Sequence, residues 1–140
     1  MPIEEITITL EEQGLLDEAI KHAEFRPNPD PQFKSEIAEI SPEVLPEAIL
    51  KILRSTHGKV TKVGITRATR IPPHMHRNDS EIYFYGDGNA TVAQIGEDGI
   101  LRGTNPFTQN TMVLTNKGTG HAVETEGGKS TTFAFVKFVE

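Results

Sequence analysis

Apolar residues change their period once along this chain. Before residue 57 the spacing is mixed and mainly helical; after it they alternate with polar residues between glycine-rich turns. Ile6, Ile8 and Leu10 alternate, which predicts a short strand within Ile3 to Leu10. Leu15, Leu16, Ala19, Ile20 and Ala23 then fall on one helical face and predict a helix from Leu15 to Phe25. The run Arg26-Pro27-Asn28-Pro29-Asp30-Pro31 must end that helix, because proline lacks the N–H donor and biases its predecessor toward extended backbone. Ser41-Pro42 reads as a second helix start, with Ser41 as N-cap and proline in the first turn. A stripe of Leu45, Ala48, Ile49, Ile52 and Leu53 follows, and His57-Gly58 supplies a stop, giving a helix over 42–54. Pro46 is close enough to that start to be tolerated there.

From Lys59 onward the pattern is that of strands. Lys59 to Ile71 alternates and is expected to stop at Pro72-Pro73. Further strands are predicted at Glu81–Tyr85, Ala90–Ile95, Ile100–Arg102, Met112–Thr115, His121–Thr125 and Thr131–Val139. Turns at Gly86-Asp87-Gly88 and Gly96-Glu97-Asp98-Gly99 separate the earlier ones. Short strands at such intervals predict a sandwich or small barrel. The chain divides into an N-terminal extension, residues 1–56, packing on a β-barrel, residues 57–140, within one structural domain.

The candidate chemistry sits in His74-Met75-His76-Arg77-Asn78-Asp79-Ser80-Glu81. Two histidines one residue apart point to the same face of a strand. Glu81 is on the wrong parity for a single strand, but Arg77-Asn78-Asp79-Ser80 is turn chemistry, so a returning strand can carry Glu81 back beside both imidazoles. The chain has no cysteine, so a metal would be held by histidine and carboxylate. His121, which opens a later strand after Asn116-Lys117-Gly118-Thr119-Gly120, is the candidate fourth ligand. His22 and His57 have no partner of suitable spacing.

His74-x-His76-x4-Glu81-x6-Gly88 resembles the first motif of the cupin superfamily, and Gly118-x2-His121 resembles the core of the second. The resemblance spans about residues 64–130. It implies an all-β core, a double-stranded β-helix (cupin, or jelly-roll) barrel, here with an N-terminal helical extension. It also implies a metal held by His74, His76, Glu81 and His121. The sequence departs from the motifs at Ala68, Asn110, Asn116 and Thr125, none of which is a ligand position.

Three imidazoles and a carboxylate suit a divalent transition metal, Fe or Mn first, with Zn and Ni following. Four protein ligands leave two positions free on a six-coordinate ion. Tyr83 and Tyr85 share the strand face of Glu81 and are candidates, with Glu81, for moving a proton. Val123 and Thr125 share the face of His121; Phe133 and Phe135 take one face of the last strand, and Ala134, Val136 and Phe138 the other. Arg67, Arg70 and Arg77 would point to a carboxylate or phosphate substrate if turned inward. Gly127-Gly128-Lys129-Ser130 looks like the end of a phosphate loop, but Val123 stands where its first glycine is required; it is read as a hairpin turn.

A net charge of −6 argues against nucleic acid and anionic membrane surfaces. The acidic N-terminus is unlike a secretion signal, and a cytoplasmic location is the expectation. The expected activity is a metal-dependent enzyme on a small molecule, dioxygenase-like and acting on an oxygenated or anionic metabolite. The alternatives are a metal-dependent isomerase, epimerase or lyase, and a non-catalytic small-molecule-binding module. The stripe on helix 42–54 needs a surface, either the barrel's outer wall or a second subunit in a homodimer.

Overall fold

A computed structural model describes residues 3–96 and 98–140; Glu97, expected in a turn, and the first two residues of the extension lie outside it. Eleven strands run in chain order: β1 (Ile3–Glu5), β2 (Arg26–Pro27), β3 (Ser35–Glu39), β4 (Lys59–Ala68), β5 (Arg70–Met75), β6 (Ser80–Phe84), β7 (Ala90–Ile95), β8 (Leu101–Phe107), β9 (Thr111–Thr115), β10 (Gly120–Thr125) and β11 (Thr131–Val139). Among the described residues two α-helices, α1 (Leu10–Lys21) and α2 (Glu47–Ser55), lie in the N-terminal extension. The strands form two sheets, one ordered β1-β9-β6-β11-β4-β3-β2 and one ordered β5-β10-β7-β8, all pairs antiparallel. The expected all-β barrel is present. The extension carries the expected strand and two helices, but the helical part is minor: β2 and β3 were not expected, and with β1 they join the larger sheet.

Several boundaries moved, each for a local reason. The first helix starts at Leu10, five residues earlier than the apolar stripe indicates. Thr9 and Glu12 form a capping box that satisfies the free N–H groups of the first turn. Ser41 does cap a turn, but only the 3-10 turn Pro42–Val44; α2 begins after Pro46, whose missing N–H interrupts a continuous helix. Pro72 and Pro73 do not end a strand. They lie inside β5, an edge strand of its sheet, where the ladder tolerates absent donors. The glycine-rich run at 127–130 is no hairpin, because β10 and β11 belong to different sheets, joined through the 3-10 turn Glu126–Gly128.

The larger sheet separates two cores, as strand alternation requires. On its inner face Tyr83, Val113, Phe133 and Phe135 pack with Ile71, Val92, Phe107 and Val123, filling the space between the sheets. On its outer face Ile82, Phe84, Met112, Leu114, Ala134, Val136 and Phe138 pack beneath Leu16 of α1 and Leu45, Ile49 and Leu53 of the α2 segment. The stripe of α2 is thus covered by its own barrel wall. Truncating a buried aliphatic side chain such as fully buried Ile49 to alanine typically costs about 2–5 kcal/mol, so this outer layer is integral to the barrel.

Candidate metal centre

His74, His76, Glu81 and His121 each offer one donor atom, and these atoms lie within 4.8 Å of one another. They converge from facing sheets. His74 and His121 are direct cross-strand partners on β5 and β10, whereas Glu81 enters from β6 in the larger sheet. The turn after His76 therefore crosses between sheets, and is tied down where the Gly118 N–H donates to the His76 carbonyl at 2.8 Å. Gly118 has φ of +87°, a conformation glycine takes without steric cost. Asn110, another departure from the motif, has no positive φ, so its position needs no glycine.

Pro72 and Pro73 have a role in the aim of His74. Between the pairs His121–His74 and Val123–Ile71, two residues of β5 oppose the single residue Ala122. This bulge resets the alternation, so Ile71 and His74, three apart, both face the barrel interior. The imidazole of His74 donates from Nδ1 to the Pro72 carbonyl at 2.8 Å, which leaves Nε2 as the free donor atom. Nε2 of His76 lies 2.9 Å from Glu81 Oε1, and Nε2 of His121 lies 3.8 Å from the same oxygen. Among the described residues neither nitrogen of His121 has a hydrogen-bond partner, although the residue is 0% exposed. A buried ring with two orphaned nitrogens is costly unless something else takes a lone pair. Donors bound about 2.0–2.2 Å from a common ion stand roughly 3–4 Å apart, so the cluster needs only a small contraction to hold one.

Electrostatics favour the ligand form. Burial holds His121 well below the ordinary histidine range, and His74 and His76 push the same way. Burial also lowers His74, reinforced by His76 and the charge of Lys137, against the upward pull of the Pro72 carbonyl and Glu81. Neutral imidazole is the form that binds metal.

Tyr83 lies beside the cluster, its hydroxyl 3.4 Å from His74 Nε2 and its ring edge-on to His121 with centroids 4.8 Å apart. Burial raises this phenol well above its ordinary value, and the charge of Glu81 adds to the effect. Tyr85 is not brought to the site, contrary to simple alternation. Its φ of +60° ends the strand geometry and turns the ring into the outer core, where its hydroxyl donates to Asp17 of α1. The three arginines are also elsewhere: Arg67 pairs with Glu36 over the Phe25 ring, Arg70 pairs with Glu124, and Arg77 is exposed.

The cluster opens into a cavity of about 380 Å³. Its walls include Lys62 and Lys137, and the Asn28–Phe33 loop closes one side, with the Phe33 ring 4.8 Å from that of His74. These residues were missed in the sequence. Lys137 was recoverable, since it continues the alternation of Phe133 and Phe135. The loop carried no comparable signal.

Solved structures share this architecture. A predicted oxalate decarboxylase from Thermotoga maritima aligns with a TM-score of 0.53 and 17% identity, covering 84% of this chain and 92% of that one. A cupin domain of Schizosaccharomyces pombe Cnp3 aligns with a TM-score of 0.56 and 6% identity, covering 86% and 66%. The fold is that of a cupin. The oxalate decarboxylase of Lactobacillus farciminis, in its formate complex, aligns with a TM-score of 0.53 and 16% identity over 85% of this chain, which spans only 31% of that enzyme. No family model matches the chain, and no curated protein matches it in sequence. At these identities the likeness concerns the cupin fold. No helix among the described residues is long and apolar enough to cross a membrane.

Proposed function

We propose that this cupin is a divalent-metal-dependent enzyme acting on a small molecule, dioxygenase-like, with a small oxygenated or anionic metabolite as substrate. One observation carries the reading: four converging donors, two of them almost fully buried, open onto a cavity lined by both polar and apolar side chains. His74, His76, Glu81 and His121 would hold the ion, Fe or Mn in preference to Zn or Ni. A bound ion would supply Lewis acidity and, as Fe or Mn, redox chemistry toward dioxygen. The chain's own residues bind and orient. Phe33, Ile71 and Phe135 give the cavity apolar wall, and the Pro72 carbonyl fixes the ring of His74.

A second reading is favoured by Tyr83. A neutral phenol beside both a carboxylate and an imidazole can donate a proton at a substrate oxygen, as an isomerase or lyase requires. The two readings separate on dioxygen: the first expects substrate-dependent oxygen uptake, the second turnover under anaerobic conditions.

The test begins with elemental analysis of purified protein beside His121→Ala. Wild type is expected to carry close to one equivalent of a divalent transition metal, and the variant to lose most of it. Equal metal content in the two proteins would overturn the four-ligand assignment.

A further inference from the structure

The cavity holds two cations that the metal cluster does not use. Lys62 of β4 and Lys137 of β11 are direct cross-strand partners, and Lys137 is in turn the partner of Glu81 on β6. The three side chains therefore form one row across the inner face of the larger sheet, with a metal ligand at one end and two ammonium groups beside it. Both ammonium groups flank the Phe135 ring, Lys62 Nζ at 6.0 Å and Lys137 Nζ at 5.9 Å from its centroid. Among the described residues neither makes an ion pair, although five arginine–carboxylate pairs occur elsewhere. Glu81, the nearest acid in the row, directs Oε1 to His76 and His121 instead. The other acid lining the cavity, Asp30, accepts from the Gln32 backbone N–H in its own turn.

Two like charges on adjacent strands repel, and cross-strand like pairs are destabilising. Holding them against a shared cavity with no described carboxylate in ion-pair contact is explained by an anion that arrives with the substrate. We propose that Lys62 and Lys137 form the receptor for a carboxylate group of the substrate, placing the rest of the molecule over Phe135 toward the His74–His76–Glu81–His121 cluster. This rests on the metal-dependent reading above and narrows its substrate class to small carboxylic acids.

Carboxylate is favoured over phosphate by what the walls lack. Phosphate sites commonly use backbone N–H groups of glycine-rich loops or helix N-termini, and among the described residues no glycine and no helix residue lines this cavity. The walls combine two point charges with apolar surface from Ile37, Ile71 and Phe135, which suits a carboxylate on a short carbon skeleton.

The test uses protein loaded with redox-inert Zn²⁺ and calorimetric titration with succinate, its uncharged dimethyl ester and inorganic phosphate. Wild type is expected to bind succinate and to bind phosphate and the ester more weakly. Lys62→Met and Lys137→Met should each weaken succinate roughly 10- to 100-fold, as expected for one charge-assisted contact, while Lys→Arg at either site should retain most of the affinity. Zinc content, measured on the same samples, should not change. Succinate affinity that is absent in wild type, equal in the methionine variants, or below that of phosphate would overturn the receptor. Failure of wild type to take up any metal would overturn the metal-dependent reading, and is scored separately.

Discussion

Tyr83 and Tyr85 stand two positions apart and end in different halves of the molecule. Strand alternation holds through Phe84, so Tyr83 reaches the cluster; the left-handed backbone at Tyr85 turns the next phenol away. The substitutions to phenylalanine should therefore separate. Tyr83→Phe is expected to keep metal content and folding while lowering turnover by roughly 10²- to 10⁴-fold, the range for a lost proton donor. Tyr85→Phe should leave turnover unchanged and lower stability by about 1 kcal/mol, through the bond to Asp17. Steady-state kinetics and thermal melts on both variants check this; equal kinetic effects would remove the assigned difference. Three of the four candidate ligands, His74, His76 and Glu81, were legible because their motif spacing is short and polar. Lys62 was not, because a lone lysine in an alternating strand looks like a solvated one.

At the scale of elements, Glu12 links two helices. Its Oε1 accepts from the Thr9 N–H within the capping box of α1, and its Oε2 accepts from the Glu47 N–H at the start of α2 at 2.6 Å. These two backbone donors hold the carboxyl below its ordinary range. Pro46, at the N-cap of α2, has no side chain able to do this work, so Glu12 does it from a distance in sequence. Glu12→Ala should destabilise the protein more than Thr9→Ala, about 1–2 against about 1 kcal/mol, read as a larger fall in Tm. An equal loss would show that the contact to α2 adds nothing. The capping box was present in the sequence as Thr-x-x-Glu. The bridge to Glu47 was not, because it depends on how the two helices come to lie against one sheet.

For the whole molecule, a metal between two sheets would also be a fastener. Binding at 100-fold above Kd adds about 2.7 kcal/mol, which for a chain of this size is roughly 5–10 °C in Tm. Chelation should reverse that shift, and a Tm indifferent to both would contradict the centre. The metal-free protein should also respond to acid in a defined direction. His74 and His121 are held below the ordinary value by burial, so the folded state resists taking up their protons. The unfolded chain takes them up as pH falls through about 6.5. Stability from these neutral rings is therefore complete above that pH and is lost as pH drops from there toward the lowered folded-state values. Melting curves of the chelated protein from pH 8 to 5 should show this fall, with a shallower slope in His121→Gln.

By itself the sequence determined the barrel, the position of most of its strands and the four residues that could bind a metal. The strands rest on patterns that act within a few residues, alternation and turn chemistry, while the barrel type and the ligand set, with His121 far along the chain from Glu81, rest also on the likeness to the cupin motifs. Tertiary structure alone decided the rest. It put Glu81 in the sheet facing the histidines, turned Pro72-Pro73 from a stop into a bulge that aims His74, drew β2, β3 and a wall of the cavity from the N-terminal third, and set Lys62 beside Lys137. Those outcomes depend on which strands become neighbours, and pairing between distant segments is fixed by the packing of both cores together rather than by any local run of residues.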